Sequence, residues 1–198
     1  AALEADVKGR AKDCRPAIAF ILARANTYSK VTDALKDGSL PLRVTHNDTK
    51  INNVLFDEKT HEALVVIDLD TVMPGLVGHD FGDAIRSYAN TGAEDDRDLS
   101  RVGMSLDMFR AYTEGYLSQR AKQLTEPEID NLAFSARYIT YEQVLRFLMD
   151  YLDGDTYYKI KSPDHNLVRT RAQYALLRSA EERYDAMRAI VAELAARP

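Results

Sequence analysis

The sequence predicts an α+β fold that is mostly helical, with one small β-hairpin. Apolar residues recur at helical spacing over much of the chain, as at Ile18, Ile21, Leu22 and Ala25. Three short β-prone runs, LRVT, NVLFD and ALVVIDL, are confined to residues 42–69. The polar connection EKTHE joins the last two runs and has the length of a hairpin turn.

Composition limits the possible classes of protein. A length of 198 residues fits a single domain spanning the whole chain, 1–198. The net charge of −5 argues against general nucleic-acid binding, which usually requires a basic face. The single cysteine, Cys14, excludes an internal disulfide and is expected to be a small buried residue. With no apolar run of about 20 residues and no export signal, we expect a cytoplasmic protein.

The first half of the chain divides into helices and a hairpin. Residues 1–13 are predicted to be helical but polar, and a helix is predicted from Pro16 to a stop at Gly38. The hairpin is predicted over Asn53–Leu69, with its second strand buried on both faces. The proline and glycine in DTVMPGLVG predict a loop over residues 70–78.

The second half is predicted to be helical to its end. Thr125 followed by Glu128 forms a capping-box pattern, which predicts a helix start. The acidic run EDDRD, residues 94–98, is predicted to be a solvated helix start. The predicted helices are Asp80–Tyr88, Leu106–Gln123, Thr125 to about Leu152, and about Leu167 to Ala196.

The segment RVTHNDTKINNVLF concentrates polar groups between strand-like runs. Asn53 opens the first hairpin strand and Asp68 closes the second, so the two residues are expected to lie close together. Amide and carboxylate oxygens suit Mg²⁺, which prefers hard oxygen ligands. Asp70 is a possible additional ligand.

The same segment contains groups suited to phosphoryl transfer. Asp48 is placed to accept a proton from a hydroxyl nucleophile, and Lys50 to neutralise charge on the transferred group. This chemistry depends mainly on positioning and electrostatic stabilisation.

Other interpretations remain open from the residues alone. Asp48, Asn53 and Asp68 could simply be turn-forming residues around the hairpin. A non-catalytic module that binds a sugar or a partner is a second alternative. A third is a hydrolase with a two-metal site, for which the candidate ligands are His46, Asp48, Asp68, Asp70, His79 and Asp80.

The motifs resemble those of known kinases. HNDTKINN resembles the kinase catalytic loop, and IDLD resembles the metal-binding segment that follows it. Both resemble more closely the signatures of the aminoglycoside phosphotransferase and choline kinase superfamily. With VIDLDTVMPGL and DFGDAIR added, the sequence is most similar to the bacterial N-acetylhexosamine 1-kinases.

The resemblance implies a C-terminal lobe of a protein-kinase-like fold, with ATP as co-substrate and Mg²⁺ as cofactor. The acceptor it implies is the anomeric hydroxyl of GlcNAc or GalNAc; an aminoglycoside or a choline-type alcohol is the alternative. The site residues it implies are Asp48 as catalytic base with Lys50 beside it, Asn53 and Asp68 as metal ligands, His46 and Asp80 as supports of the loop, and Arg146 and Tyr157 as acceptor contacts.

The front of the chain departs from the kinase pattern. The roughly 40 residues before the motif are predicted to be helical, and they lack the glycine-rich strand-turn-strand of a nucleotide-binding lobe. We therefore expect that the N-terminal lobe is absent from this chain. The isolated chain is expected to have little or no kinase activity.

Overall fold

A computed structural model describes residues 2–196 and confirms a mostly helical α+β fold. Helices precede, flank and follow four short strands. The helices are α1 Ala2–Ala5, α2 Arg15–Tyr28, α3 Lys30–Lys36, α4 Val77–Tyr88, α5 Leu106–Arg120, α6 Glu126–Asp153, α7 His165–Glu182 and α8 Tyr184–Ala195. The strands are β1 Arg43–Thr45, β2 Val54–Phe56, β3 Ala63–Val66 and β4 Met73–Gly75.

The predicted hairpin is present. Strands β2 and β3 pair antiparallel, with Val54 opposite Val66. The expectation that its second strand is buried on both faces is wrong, because all four residues of β3 are exposed. The hairpin belongs to a two-stranded sheet, and no described residues cover its apolar side chains.

The segment predicted as a loop over residues 70–78 contains a strand. Strand β4 pairs antiparallel with β1, and Pro74 lies opposite Val44. Proline is tolerated because a two-stranded sheet leaves one edge of each strand free, so its missing N–H costs no ladder hydrogen bond. A side chain at Gly75 would overlap Thr45 Oγ1, which explains glycine at this point of close approach.

Helix α6 forms the centre of the molecule. It packs against α4 and α7 on one side and contacts α2 on another. One core cluster joins α4, α5, α6, α7 and α8 around Phe81, Phe109, Leu132, Leu176 and Met187. A second joins α2 to α6 around Phe20, Ile21, Tyr141, Val144 and Leu148. The free thiol of Cys14 is buried in the second cluster, as predicted.

The predicted capping box starts α6. Thr125 Oγ1 accepts from the backbone N–H of Glu128, and the Glu128 carboxylate accepts from the backbone N–H of Thr125. The same carboxylate accepts from Nε and Nη2 of Arg43, at 3.0 and 2.9 Å. The start of the longest helix is thereby fixed to strand β1.

Several predicted boundaries differ from the structure. Residues 1–13 contain only the four-residue α1 and part of a 3₁₀ turn, with residue 1 outside the described chain. The helix predicted from Pro16 to Gly38 is interrupted at Ser29, and the last predicted helix is divided at Arg183. Helix α4 begins at Val77 rather than at Asp80.

The acidic run is a solvated helix start only at its last residue. Exposed Asp98 is the N-cap of the 3₁₀ turn Leu99–Arg101 and accepts from the backbone N–H of Ser100. Glu94 instead pairs with buried Arg86 at 2.7 Å, and Asp95 accepts from His165 at 2.8 Å and from Lys161 at 3.0 Å. The contacts of Asp95 hold the loop after α4 against the start of α7.

Candidate active site

The loop between β1 and β2 brings three predicted site residues together. Lys50 Nζ lies 2.6 Å from Asp48 Oδ2, and Asn53 Nδ2 donates to the same oxygen at 2.9 Å. Asn53 Nδ2 also donates to the backbone carbonyl of Asp48 at 2.8 Å. None of the hydrogen bonds recorded over residues 2–196 uses Asp48 Oδ1. One oxygen of this carboxylate is held, and the other is left for a ligand.

His46 uses both ring nitrogens inside the protein. Its Nδ1 accepts from the backbone N–H of Asp48 at 3.2 Å, which places the proton on Nε2. Nε2 then donates to the carbonyl of Ile67 at 2.9 Å. The imidazole therefore connects the catalytic loop to the end of β3.

Asp80 holds the backbone of the same loop. Its Oδ2 accepts from the N–H of His46 at 2.9 Å, and its Oδ1 accepts from the N–H of Asn47 at 2.7 Å. The hydroxyl of Thr49 donates to the Asp80 carbonyl at 2.6 Å. Asp80 lies in the first turn of α4, so the helix carries the anchor of the loop.

The hairpin places Asn53 beside the segment that contains Asp68. The carbonyl of Asn53 accepts from the N–H of Ile67 at 2.9 Å, and Asp68 is the next residue. Asp68 is exposed and has a left-handed backbone, with φ of 65°, a conformation that Asp adopts more readily than most residues. Asp70 lies two residues further on, exposed in the 3₁₀ turn Leu69–Thr71.

A cleft of about 570 Å³ opens beside the loop. Asp48 and Lys50 line one end, and residues of α4, α6, α7 and the loop after α6 line the rest. Its charged side chains are balanced: four are acidic and four are basic, namely Asp48, Asp83, Glu94, Glu142, Lys50, Arg86, Arg146 and Arg169. His79 also lines it, and burial lowers the pKa of this histidine, which favours the neutral imidazole at neutral pH.

Arg146 and Tyr157 lie at the cleft, where the structure brings them near each other. Arg146 Nη2 is 3.5 Å from Tyr157 Oη, and its guanidinium carbon lies 5.7 Å from the ring centroids of both Tyr157 and Tyr158. Arg169 lies 5.3 Å from the Phe147 ring and 5.8 Å from the Tyr158 ring. The cleft wall is thus an aromatic cluster whose rings are in contact with guanidinium groups.

The sequence interpretation missed a buried polar group in the cleft wall. Both Arg86 Nε and Nη2 donate to Asp83 Oδ1, at 3.0 and 2.8 Å, and Arg86 is 5% exposed. Asp83 Oδ2 is buried and has no hydrogen-bond partner in the described chain. The segment DFGDAIR contains both residues three positions apart, a spacing that puts them on one helix face.

The fold and the site together define a kinase-type enzyme. A family model described as "Phosphotransferase enzyme family" (APH) matches residues 2–118, more than half of the chain. The chain belongs to this family, and it is an enzyme that transfers phosphate to a hydroxyl acceptor. The match includes the catalytic loop and the hairpin, and it ends before Arg146 and Tyr157.

No helix within residues 2–196 is both long enough and apolar enough to cross a membrane.

Proposed function

We propose that this protein is the catalytic and acceptor-binding lobe of an ATP- and Mg²⁺-dependent sugar kinase. The main support is the arrangement of Asp48, whose Oδ2 is held by Lys50 and Asn53 at the edge of the cleft. The free Oδ1 accepts the proton of the acceptor hydroxyl. The acceptor oxygen forms a bond to the γ-phosphorus of ATP as the bond to the β,γ-bridging oxygen breaks, and ADP leaves with that electron pair.

Lys50 and the loop supports act on this step by positioning and by charge. The ammonium group of Lys50, 2.6 Å from Asp48 Oδ2, lies close enough to offset charge on the transferred phosphoryl group. The ring of His46 accepts from the backbone N–H of Asp48, and the carboxylate of Asp80 accepts from the backbone N–H groups of His46 and Asn47. Together these hydrogen bonds fix the loop backbone. The carboxylate is thereby held before the acceptor arrives.

Asn53 and Asp68 are the residues proposed to hold Mg²⁺. The amide nitrogen of Asn53 is committed to Asp48, so its oxygen is the end available to a cation. Over residues 2–196 no group of three or more His, Cys, Asp or Glu side chains is arranged to hold a metal. Mg²⁺ is usually bound through one or two protein oxygens plus phosphates and waters, so two protein ligands are enough for it. When bound, the ion supplies charge neutralisation for the phosphates.

A neutral sugar fits the cleft better than a cationic acceptor. Four acidic and four basic side chains line it, which gives no excess negative charge for a polycationic aminoglycoside. Choline is bound by open aromatic faces, whereas here Arg146 and Arg169 lie over the rings of Tyr157, Tyr158 and Phe147. The anomeric hydroxyl of GlcNAc or GalNAc is the acceptor proposed, on the resemblance of the motifs.

The exposed apolar side chains of the hairpin are evidence that the full protein has a nucleotide-binding lobe. Large apolar side chains of residues 55–73 are exposed on this side, including Leu55, Phe56, Leu64, Val65, Val66, Leu69 and Met73. Leu64 and Val66 lie on the opposite face of the strand from Val65, so apolar side chains are exposed on both faces of the hairpin, which is typical of an interaction site. We propose that the lobe packs here, and that the chain alone lacks one wall of the ATP site and has little activity. "Full-length protein" below means this chain joined to that lobe.

The metal-dependent hydrolase is less well supported by the geometry. A histidine ligand needs a free ring nitrogen, and both nitrogens of His46 are already in hydrogen bonds. The other candidate histidine, His79 in α4, stacks on the ring of Tyr138, with the two ring centroids 6.0 Å apart.

An acceptor panel tests the proposal. The full-length protein is incubated with Mg·ATP and GlcNAc, GalNAc, glucose, an aminoglycoside or choline, and the phosphorylated product is followed by ³¹P NMR. We expect an anomeric sugar phosphate from an N-acetylhexosamine and none from choline or the aminoglycoside. Turnover of only the cationic acceptors would overturn the sugar assignment. The chain without the lobe serves as the control, and equal turnover there would refute the proposed need for the lobe.

A further inference from the structure

The loop after α6 carries the two tyrosines of the cleft. Gly154 caps the C-terminal end of helix α6 with a φ of 96°, and Asp155 follows with a φ of 62°. The chain then passes through Tyr157 and Tyr158 before it reaches α7. Two successive left-handed residues turn the chain sharply, and one of them is not glycine. Such a turn persists only where the surrounding groups hold it.

One carboxylate holds the loop backbone. Asp150 Oδ1 accepts from the N–H groups of Thr156 at 2.9 Å and Tyr157 at 2.8 Å. Its Oδ2 accepts from the N–H of Tyr158 at 3.0 Å and from Asn166 Nδ2 at 2.8 Å. Three consecutive backbone N–H groups therefore converge on the side chain of Asp150, which is 6% exposed.

A second layer of contacts supports that carboxylate. Asn166 Nδ2 also donates to Asp155 Oδ1 at 2.9 Å, and Asn166 is fully buried. Arg10 Nη1 donates to Asp155 Oδ2 at 2.6 Å and to the carbonyl of Tyr151 at 2.7 Å. The loop is therefore fixed from α6, from α7 and from the segment before α2.

We infer that Asp150 is a positioning residue for the acceptor: its carboxylate sets the loop backbone that places Tyr157 and Tyr158 in the cleft. The inference rests on the proposed function, because it assigns these tyrosines to the acceptor side of a kinase. Asp150 is absent from the residues that line the cleft. It acts through the loop it holds.

The chemistry of the carboxylate makes the role specific. All four hydrogen bonds described above place a donor on a carboxylate oxygen, and both oxygens are used. In Asp150→Asn the amide orientation that keeps both backbone hydrogen bonds at Oδ1 puts the NH₂ group at the Oδ2 position, where it cannot accept from the N–H of Tyr158 or from Asn166. The N–H of Tyr158 and the amide of Asn166 then lose their acceptor, and the new NH₂ group is buried against these two donors.

The test separates acceptor binding from chemistry in the full-length protein. Asp150→Asn is compared with Asp153→Asn, the same change at an exposed position one turn further along the same helix. For Asp150→Asn we expect the acceptor KM to rise about tenfold or more while kcat and the KM for ATP stay within about threefold, since loss of a contact that binds substrate and transition state equally raises KM and leaves kcat unchanged. The control should leave all three constants unchanged.

Backbone amide exchange gives a readout that does not depend on turnover. In the wild-type protein the N–H groups of Thr156, Tyr157 and Tyr158 should exchange slowly, and in Asp150→Asn at least that of Tyr158 should exchange at the rate of an open loop. An Asp150→Asn protein with wild-type acceptor KM, or with unchanged protection of these amides, would overturn the inference.

A second variant covers the case in which Asp150→Asn does not fold. Asn166→Ala removes the shorter of the two side-chain hydrogen bonds to Asp150 and leaves the three backbone donors and the Thr156 hydroxyl. It should raise the acceptor KM in the same direction by a smaller factor, and an unchanged KM in a folded Asn166→Ala protein would also overturn the inference. Failure of the wild-type protein to phosphorylate any sugar would instead refute the proposed function.

Discussion

The carboxylate of Asp80 accepts a hydrogen bond from the backbone N–H of Asn47 at 2.7 Å, across 33 positions of sequence. Asn47 has a left-handed backbone, with φ of 63°. Its N–H and that of His46 both point to Asp80 because the chain turns at this residue. The turn brings Asp48 to the edge of the cleft, so the position of the proposed base depends on Asp80 at the start of α4.

Replacing Asp80 should therefore reduce catalysis without removing a group that contacts the substrate. In Asp80→Ala the two loop N–H groups lose their acceptor and Asp48 loses its fixed position. We expect kcat of the full-length protein to fall by about a hundredfold, the size of effect that a small misplacement of reacting groups produces. Steady-state kinetics measures it, with Asp107→Ala, an exposed Asp in the first turn of α5, as the control. Wild-type kcat in Asp80→Ala would contradict the positioning role.

Glu128 is predicted to contribute to stability through two contacts. Its side chain closes the capping box of α6 and also pairs with Arg43 on β1. Loss of the hydrogen bond from the Thr125 N–H alone predicts that Glu128→Ala lowers the free energy of unfolding by about 1 kcal/mol, and loss of the partner of Arg43 adds to that. Urea unfolding followed by circular dichroism measures it. Glu126→Ala, an exposed change two residues earlier, should have a smaller effect, and equal effects would show that neither contact matters.

Asp95 gives a pH dependence of stability with a defined sign. Its hydrogen bond from His165, followed by that from Lys161, lowers its pKa from 3.8 to about 2. A carboxylate with a lowered folded-state pKa stabilises the fold at pH values above its unfolded-state pKa, and this contribution is lost as the pH falls through the folded-state value. The wild-type protein should be more stable than Asp95→Asn at pH 6, and the difference should shrink between about pH 4 and pH 2. Urea titrations at several pH values measure it, and a difference that is constant with pH would contradict the assignment.

Much of the fold was predictable because its signals are local. The capping box at Thr125 and Glu128 and the hairpin connection EKTHE are short-range patterns, and the structure contains both. Strand β4 was missed because Pro74 and Gly75 are loop signals, and only the pairing with β1 makes them a strand. The break at Ser29 leaves helical backbone on both sides, so no residue type marks it.

The candidate site likewise has one part that the sequence predicts and another that only the fold reveals. Asp48, Lys50 and Asn53 lie within six positions, so the motif alone was enough to predict that they meet. The ion pairs of Asp95 in the acidic run were not predicted because its partners, Lys161 and His165, lie 66 and 70 positions further along the chain. Asp150 carries no motif, and its three backbone donors belong to a loop whose course depends on the packing of α6 against α7.

The central claim is that Asp48 accepts the proton of the acceptor hydroxyl, and Asp48→Asn tests it most directly. Asn has nearly the same shape and its oxygen can still accept from Lys50, but it cannot take up the proton. In the full-length protein we expect kcat to fall at least about a hundredfold, the usual contribution of a general base, with Mg·ATP affinity by calorimetry changed less than about threefold. Asp107→Asn, an exposed change in the first turn of α5, is the matched control. An Asp48→Asn enzyme with wild-type kcat would contradict the account.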